Sequence, residues 1–420
     1  MMRYCLIEGA RLLDPANGVD KIADIYVADG KIQAIDHKPA AGEIETSIDG
    51  NNKILLPGLI DLGAHLAEPG FTQKGSIATE TKAAARSGFT HICALPDTKP
   101  VTDSPAVVQL IQEKAAQAGY AEVLPLGAAT QGLEGTQLAN MFSLTEAGCP
   151  ALSNARKPIK DSYVLQRVME YAATYNIRLF LSANDTTLAD GCMHAGPTAT
   201  RMGLDGIAET AETIALSQIL LMAEQTGVQL HISQISSARS VRMLQQARDN
   251  GIRVTADVPL ANLVYTDEAV NGYNSQFNVL PVLRSECDRQ SLLAAVNNGE
   301  LAISSNHRPH EIAAKKAPFS DAEPGMSMFD CFLPLALKLI AAEELDWHAF
   351  VKATSQIPAQ IIGKDHVGLA EGNFFSAVLV NASATTDLSQ LESKGSNIPC
   401  TDEELTGKVE ALFVSGARVL

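Results

Sequence analysis

The chain has 420 residues, 46% of them hydrophobic, enough apolar material for one large domain with a small appendage. Its 32 Lys and Arg against 48 Asp and Glu leave a net charge of −16. That balance excludes a nucleic-acid role, because phosphate-backbone binding needs a basic face, and it disfavours a membrane-surface mode. Seven cysteines, never in CxxC spacing, and an N-terminus unlike a signal peptide read as reduced thiols in a cytoplasmic protein.

In chain order, the first ~55 residues read as short strands with turns, YCLIEGARLL and ADIYVADGKIQAID, followed by a polar stretch to NNKILLPG. Apolar runs of strand length then alternate with amphipathic helical segments. The strand candidates are 59–65, 90–96, 122–129, 150–155, 178–183, 229–236, 253–259 and 301–307. Helical stretches such as PAVVQLIQEKAAQAG and ETAETIALSQILLMAEQTG end at Gly, where a C-cap is expected. Strand character returns in SAVLVNAS and KVEALFVSGARVL. Eight β–α units predict an α/β fold, a (β/α)8 TIM barrel over 56–365, with 1–55 and 366–420 forming a small β-sandwich domain beside it. A doubly wound sheet is the alternative, without a GxGxxG fingerprint to support it.

In a barrel the functional residues belong at the C-terminal strand ends. Those ends carry Gly63 and His65, Asp97, Asn154, Ser182, His231 and Gln234, Asp257, then Asn306, His307, Arg308 and His310. A hydrolytic zinc site needs three or four converging His, Asp or Glu ligands and one open position. Here neutral amides and hydroxyls stand in most of the places, and Asn cannot act as a general base.

LLPGLIDLGAHLAEPGF and ALPDTKPVTDSP resemble the PGLIDxHxHxREPG and MPNTKPVxDxP segments of bacterial dihydroorotases of the amidohydrolase superfamily. The resemblance runs on through TQGLEG, LADG, LHISQIS, TDEAVNGYNSQFNVLPVLR, SSNHRPH and ESKGSNIP, essentially the whole chain. It implies a cytosolic amidohydrolase barrel related to the enzymes that interconvert carbamoyl aspartate and dihydroorotate with a zinc-activated hydroxide. The departures fall on the working residues. Gly63 stands at one histidine of the HxH pair, and only His65 remains. Asn154 and Ala155 stand where the family has aspartates, Ser182 and Gln234 where it has histidines, and Asn306 where it has the catalytic aspartate. Of the substrate set, Ala67 replaces the carboxylate-binding arginine and Leu280 an asparagine. Asp97 replaces another asparagine and adds a negative charge, while His310 is retained.

Losing ligands, base and clamp together predicts a barrel without zinc and without catalytic residues. Asp97 in particular is expected to repel a substrate carboxylate. Arg308 is expected either to project into the old metal cavity and pair with Asp97 or Asp257, or to point to water. His65 reads as a strand-end residue hydrogen-bonded within the pocket, His307 and His310 as structural or solvent-exposed rather than as ligands, and the cysteines as core or loop thiols. The resemblance extends to inactive dihydroorotase homologues that assemble with the aspartate transcarbamoylase catalytic chain. It implies a homodimer that stabilises that partner in pyrimidine biosynthesis. The alternatives are a repurposed enzyme or ligand-binding protein working from His65, Asp97, Asp257 and His310 without metal, and a weak dihydroorotase.

Overall fold

The computed structural model describes residues 3–40, 42–364, 368–401 and 403–420. The chain opens with β1 (Arg3–Asp14), β2 (Val19–Ala28), β3 (Lys31–Ile35), β4 (Glu43–Asp49) and β5 (Ile54–Pro57). The central part supplies β6 (Leu59–Ala64), β7 (Phe89–Ala94), β8 (Glu122–Pro125), β9 (Gly127–Ala128), β10 (Leu152–Ser153), β11 (Arg178–Ser182), β12 (Met193–His194), β13 (Gly206–Ile207), β14 (Gln229–Ser233), β15 (Val254–Pro259) and β16 (Ala302–Ser304). It closes with β17 (Ala377–Thr385), β18 (Thr406–Val414) and β19 (Ala417–Arg418).

Both chain ends share one curled eight-stranded sheet, ordered β19-β18-β17-β5-β1-β2-β3, with β4 paired to β1. Alternation along β1 and β2 sends Ile7, Leu12, Ile25 and Val27 to one face, where they pack with Leu55, Phe375, Leu379 and Phe413. Tyr4, Leu6 and Tyr26 cover the other face. The polar stretch after residue 36 contains β4, an exposed strand whose sequence EIETSID carries charge, as an edge that must not recruit another chain does. The expected domain boundary at 55/56 falls inside β5, and the one at 365/366 lies outside the described residues.

The eight expected barrel strands are present as two parallel runs, β6-β7-β8 and β9-β10-β11-β14-β15-β16. β8 and β9 are one interrupted third strand, handed from β7 to β10 by Leu126 N, which donates to Ala94 O at 2.9 Å, and Gly127 N, which donates to Ala151 O at 3.2 Å. The ring closes where His65 N donates to His307 O at 2.9 Å and Ser305 N donates to Asp61 Oδ1 at 2.8 Å. Every residue of β6 and β7 is buried, the signature of parallel strands covered on both faces. The helix Ile77–Arg86 starts with a reciprocal Ser76–Thr79 capping box. Gly119 and Gly227, at φ 72° and 69°, close two of the expected helices in the left-handed conformation. Among the described residues no helix is long and apolar enough to cross a membrane, and all seven cysteines are free.

Candidate functional site

Four strand ends turn into the barrel mouth through non-glycine residues with left-handed backbones: Ala67 (φ 62°), Ala155 (φ 50°), Gln234 (φ 62°) and Asn306 (φ 49°). Such conformations store strain and persist where the surroundings enforce them, commonly around a site. The turns bring Gln234 and Asn306 together. A side chain built at Gly63 would meet Gln234 Nε2 at 3.5 Å, so β6, β14 and β16 converge as the resemblance implies.

What lies among these residues is the side chain of Arg156, two residues beyond Asn154. Its Nη2 donates to Gln234 Oε1 at 2.8 Å and also to Asn306 Oδ1. Burial, reinforced by the nearby Arg308, pulls the guanidinium down to about 9, still protonated near neutrality. Its Nε is buried without a partner among the described residues. Asn306 Nδ2 is tied to Leu280 O at 3.0 Å. Asn154 is spent locally, accepting from Thr130 Oγ1 at 2.7 Å and donating to Lys157 O at 2.9 Å. Ser182 ends β11 and lines a separate hollow of about 190 Å³ with Asn154, Lys157 and Asn184.

The other polar groups of the barrel are occupied. His231 Nε2 meets Asp257 Oδ1 at 2.9 Å, and Asp257 also accepts from Gln234 N at 3.1 Å and from Ser304 Oγ. Burial raises the Asp61 carboxyl to about 6 even though Ser305 hydrogen-bonds it. His307 is wholly enclosed. Its Nδ1 accepts from Met328 N at 3.0 Å, so Nε2 carries the proton that it donates to Glu80 Oε2 at 2.9 Å. Asp257 is therefore not free to pair with Arg308. No group of three or more His, Cys, Asp or Glu among the described residues is arranged to hold a metal ion. The residues at the family's ligand places do not fit zinc: a single histidine, His65, remains beside a glycine, neutral amides and a hydroxyl, and two of the amides are bonded to a cation.

Beside Arg156 opens a cleft of about 450 Å³, lined by His65, Lys74, Asp97, Lys99, Lys157, Arg308, His310 and Glu323 among others. Arg308 Nη2 donates to Asp97 Oδ2 at 2.9 Å, the first of the two orientations the sequence left open. Burial works to raise Asp97, but Arg308 and His65 outweigh it and hold the carboxyl down at about 2. The expectation that Asp97 repels an anion is thereby corrected, because its charge is matched within an ion pair. His65 Nε2 lies 3.4 Å from Asp97 O, and its Nδ1 has no partner among the described residues. Burial lowers His65 to about 4. His310, expected as a retained anion contact, lies between Lys74 Nζ at 3.1 Å and Pro324 O at 3.1 Å, and burial with Lys74 lowers it to about 4. Ala67 is fully buried and leaves the cleft without a guanidinium at that place.

Arg156 is the residue that sequence reasoning passed over. A basic residue directly after the fourth strand end was its only signal, and its acceptors are neutral amides that make no charge pattern.

The family profile described as dihydro-orotase-like matches residues 52–240. A dihydroorotase-like protein of Pseudomonas aeruginosa is 42% identical over 98% of this chain and 98% of its own. One from Pseudomonas putida is also 42% identical, over 98% and 97%. A dihydroorotase of Trichlorobacter lovleyi is 34% identical over 99% and 98%. Among solved structures, the L-hydantoinase (dihydropyrimidinase) of Arthrobacter aurescens superimposes with a TM-score of 0.88 at 21% identity, covering 100% of this chain and 96% of that one. The dihydropyrimidinase of Brevibacillus agri gives 0.81 at 19%, over 99% and 95%. These two likenesses concern the fold.

Proposed function

Because the chain belongs to the dihydroorotase-like family, we propose that it is a member that has exchanged its metal centre for an internal guanidinium and no longer catalyses. The observation that carries this reading is the pairing of Arg156 with Gln234 and Asn306, at the places of a ligand and of the base. A fixed cation there opposes a divalent ion, and neutral amides neither bind zinc well nor take a proton from water. Metal-free acid–base chemistry has little to work with. His65 is neutral, Asp97 is locked in an ion pair and Asp61 is sealed beneath the mouth, so no pair of groups in the cleft is poised near neutrality.

The protein then acts through its surfaces, as a cytoplasmic homodimer that supports the aspartate transcarbamoylase catalytic chain in pyrimidine biosynthesis. This part of the reading rests on the resemblance to inactive homologues with that habit. The greater identity to chains named dihydroorotase-like than to one named dihydroorotase agrees with it.

The test is metal content of purified, unchelated protein, with dihydroorotase turnover measured with and without added zinc. Below about a tenth of an equivalent and no turnover is expected; stoichiometric metal or turnover would overturn the reading. A companion experiment restores Gly63→His, Asn154→Asp, Ser182→His, Gln234→His and Asn306→Asp. Zinc uptake is expected only when Arg156→Met is added, and uptake with Arg156 in place would show that the guanidinium does not block the site. For the partnership, co-elution with aspartate transcarbamoylase is expected, and independent elution at micromolar concentrations would remove it.

A further inference from the structure

The cleft beside Arg156 contains more positive charge than its own carboxylates match. Lys74, Lys99, Lys157 and Arg308 face Asp97 and Glu323, four cations to two anions. Arg308 is committed to Asp97, and Lys74 to Glu323 and His310. Lys99 and Lys157 are exposed, and neither ammonium has a hydrogen-bond or ion-pair partner among the described residues. On a chain of net charge −16, a local surplus of two positive charges is not a by-product of composition. His65, which lines the cleft with a side chain only 6% exposed, adds no charge to it, and its unpartnered Nδ1 is buried behind the wall. Its Nε2 faces the Asp97 carbonyl oxygen, so the proton is on Nε2 and Nδ1 is the bare lone pair.

We propose that this cleft binds a small phosphate-bearing anion, with Lys99 and Lys157 on the phosphoryl oxygens. The available groups favour phosphate over carboxylate. Planar carboxylate recognition relies on a guanidinium fork, and the guanidinium lining this cleft already spends Nη2 on Asp97, which breaks up the two-pronged face. What is left over is a pair of ammonium point charges, suited to a tetrahedral group of charge near −2. A cleft of about 450 Å³ has room for an organic group on the phosphate. The site does not depend on whether the barrel catalyses or on what it assembles with, and its failure would leave that reading untouched.

Titration calorimetry on the full chain at low ionic strength, with inorganic phosphate and with succinate as probes, tests this. Saturable phosphate binding is expected, at least about tenfold tighter than succinate and about tenfold weaker in K99A/K157A. Both lysines are exposed, so that variant is expected to fold, which its melting curve checks. The control K21A/K408A, on the terminal sheet, should bind as the parent does. No saturable phosphate binding, equal affinity for succinate, or equal weakening in the control would each overturn the proposal.

Discussion

His65 and His310 are both held neutral by burial down to about pH 4, whereas a histidine in the unfolded chain titrates near 6.5. Between those values the unfolded state takes up protons that the folded state refuses. Stability therefore falls as the pH drops from about 6.5 to about 4 and is insensitive to these groups above that window. The expected observation is a urea midpoint that declines across the window, and declines less in His310→Gln, read from unfolding curves at pH 7, 5.5 and 4.5. Equal slopes in parent and variant would contradict the assignment. Asp97 acts lower on the scale. Its carboxyl is held at about 2, so its contribution persists above the usual carboxylate range and is lost only as the pH falls toward 2. The Arg308–Asp97 pair was legible in the sequence because opposite charges at strand ends around one barrel mouth suggest each other. Arg156 was not, since nothing in the amides of Gln234 and Asn306 announces a cation between them.

Between elements, the barrel relies on buried carboxylates that gather several backbones at once. Glu80, on the helix Ile77–Arg86, accepts from His307 Nε2 at 2.9 Å, Ser393 Oγ at 2.6 Å and Lys394 N at 3.2 Å. One side chain thus joins the first barrel helix, the eighth strand end and the loop that follows β17. Glu212 does the same for the sixth strand, taking Ser236 N at 3.1 Å, Ser237 Oγ at 2.9 Å and Ser240 Oγ at 2.5 Å, with Arg284 alongside at 3.7 Å. Glu80→Ala strands a buried histidine and several donors, so a loss of about 3 kcal/mol or more is expected. Earlier proteolytic cutting between residues 386 and 401 should accompany it; an unchanged digestion pattern would mean that other contacts hold that loop. The eight barrel strands were legible as apolar runs because both faces of each are covered. The β12–β13 pair and the π-helical turn Lys352–Gln356 were not, since their two to five residues are too few to show a period. β4 hid behind its edge-strand polarity.

At the scale of the whole molecule, the two chain ends depend on each other: β5 lies between β1 and β17 in one sheet. A chain ending at Ser376 would lose β17 and β18, open the side of β5 and uncover Leu55 and Phe375. Such a truncation is expected to be insoluble, by recovery from the soluble fraction, although every barrel strand would remain. A soluble, dispersed product would show that the barrel stands without its appendage. The barrel's interior has its own permanence. A metal ion is acquired after synthesis, competes with other ions and is lost to chelators. The guanidinium of Arg156 is translated with the chain, one per molecule. On the proposed reading the charge at the centre of this barrel is therefore heritable rather than scavenged, and scarcity or excess of any metal in the surroundings leaves it the same.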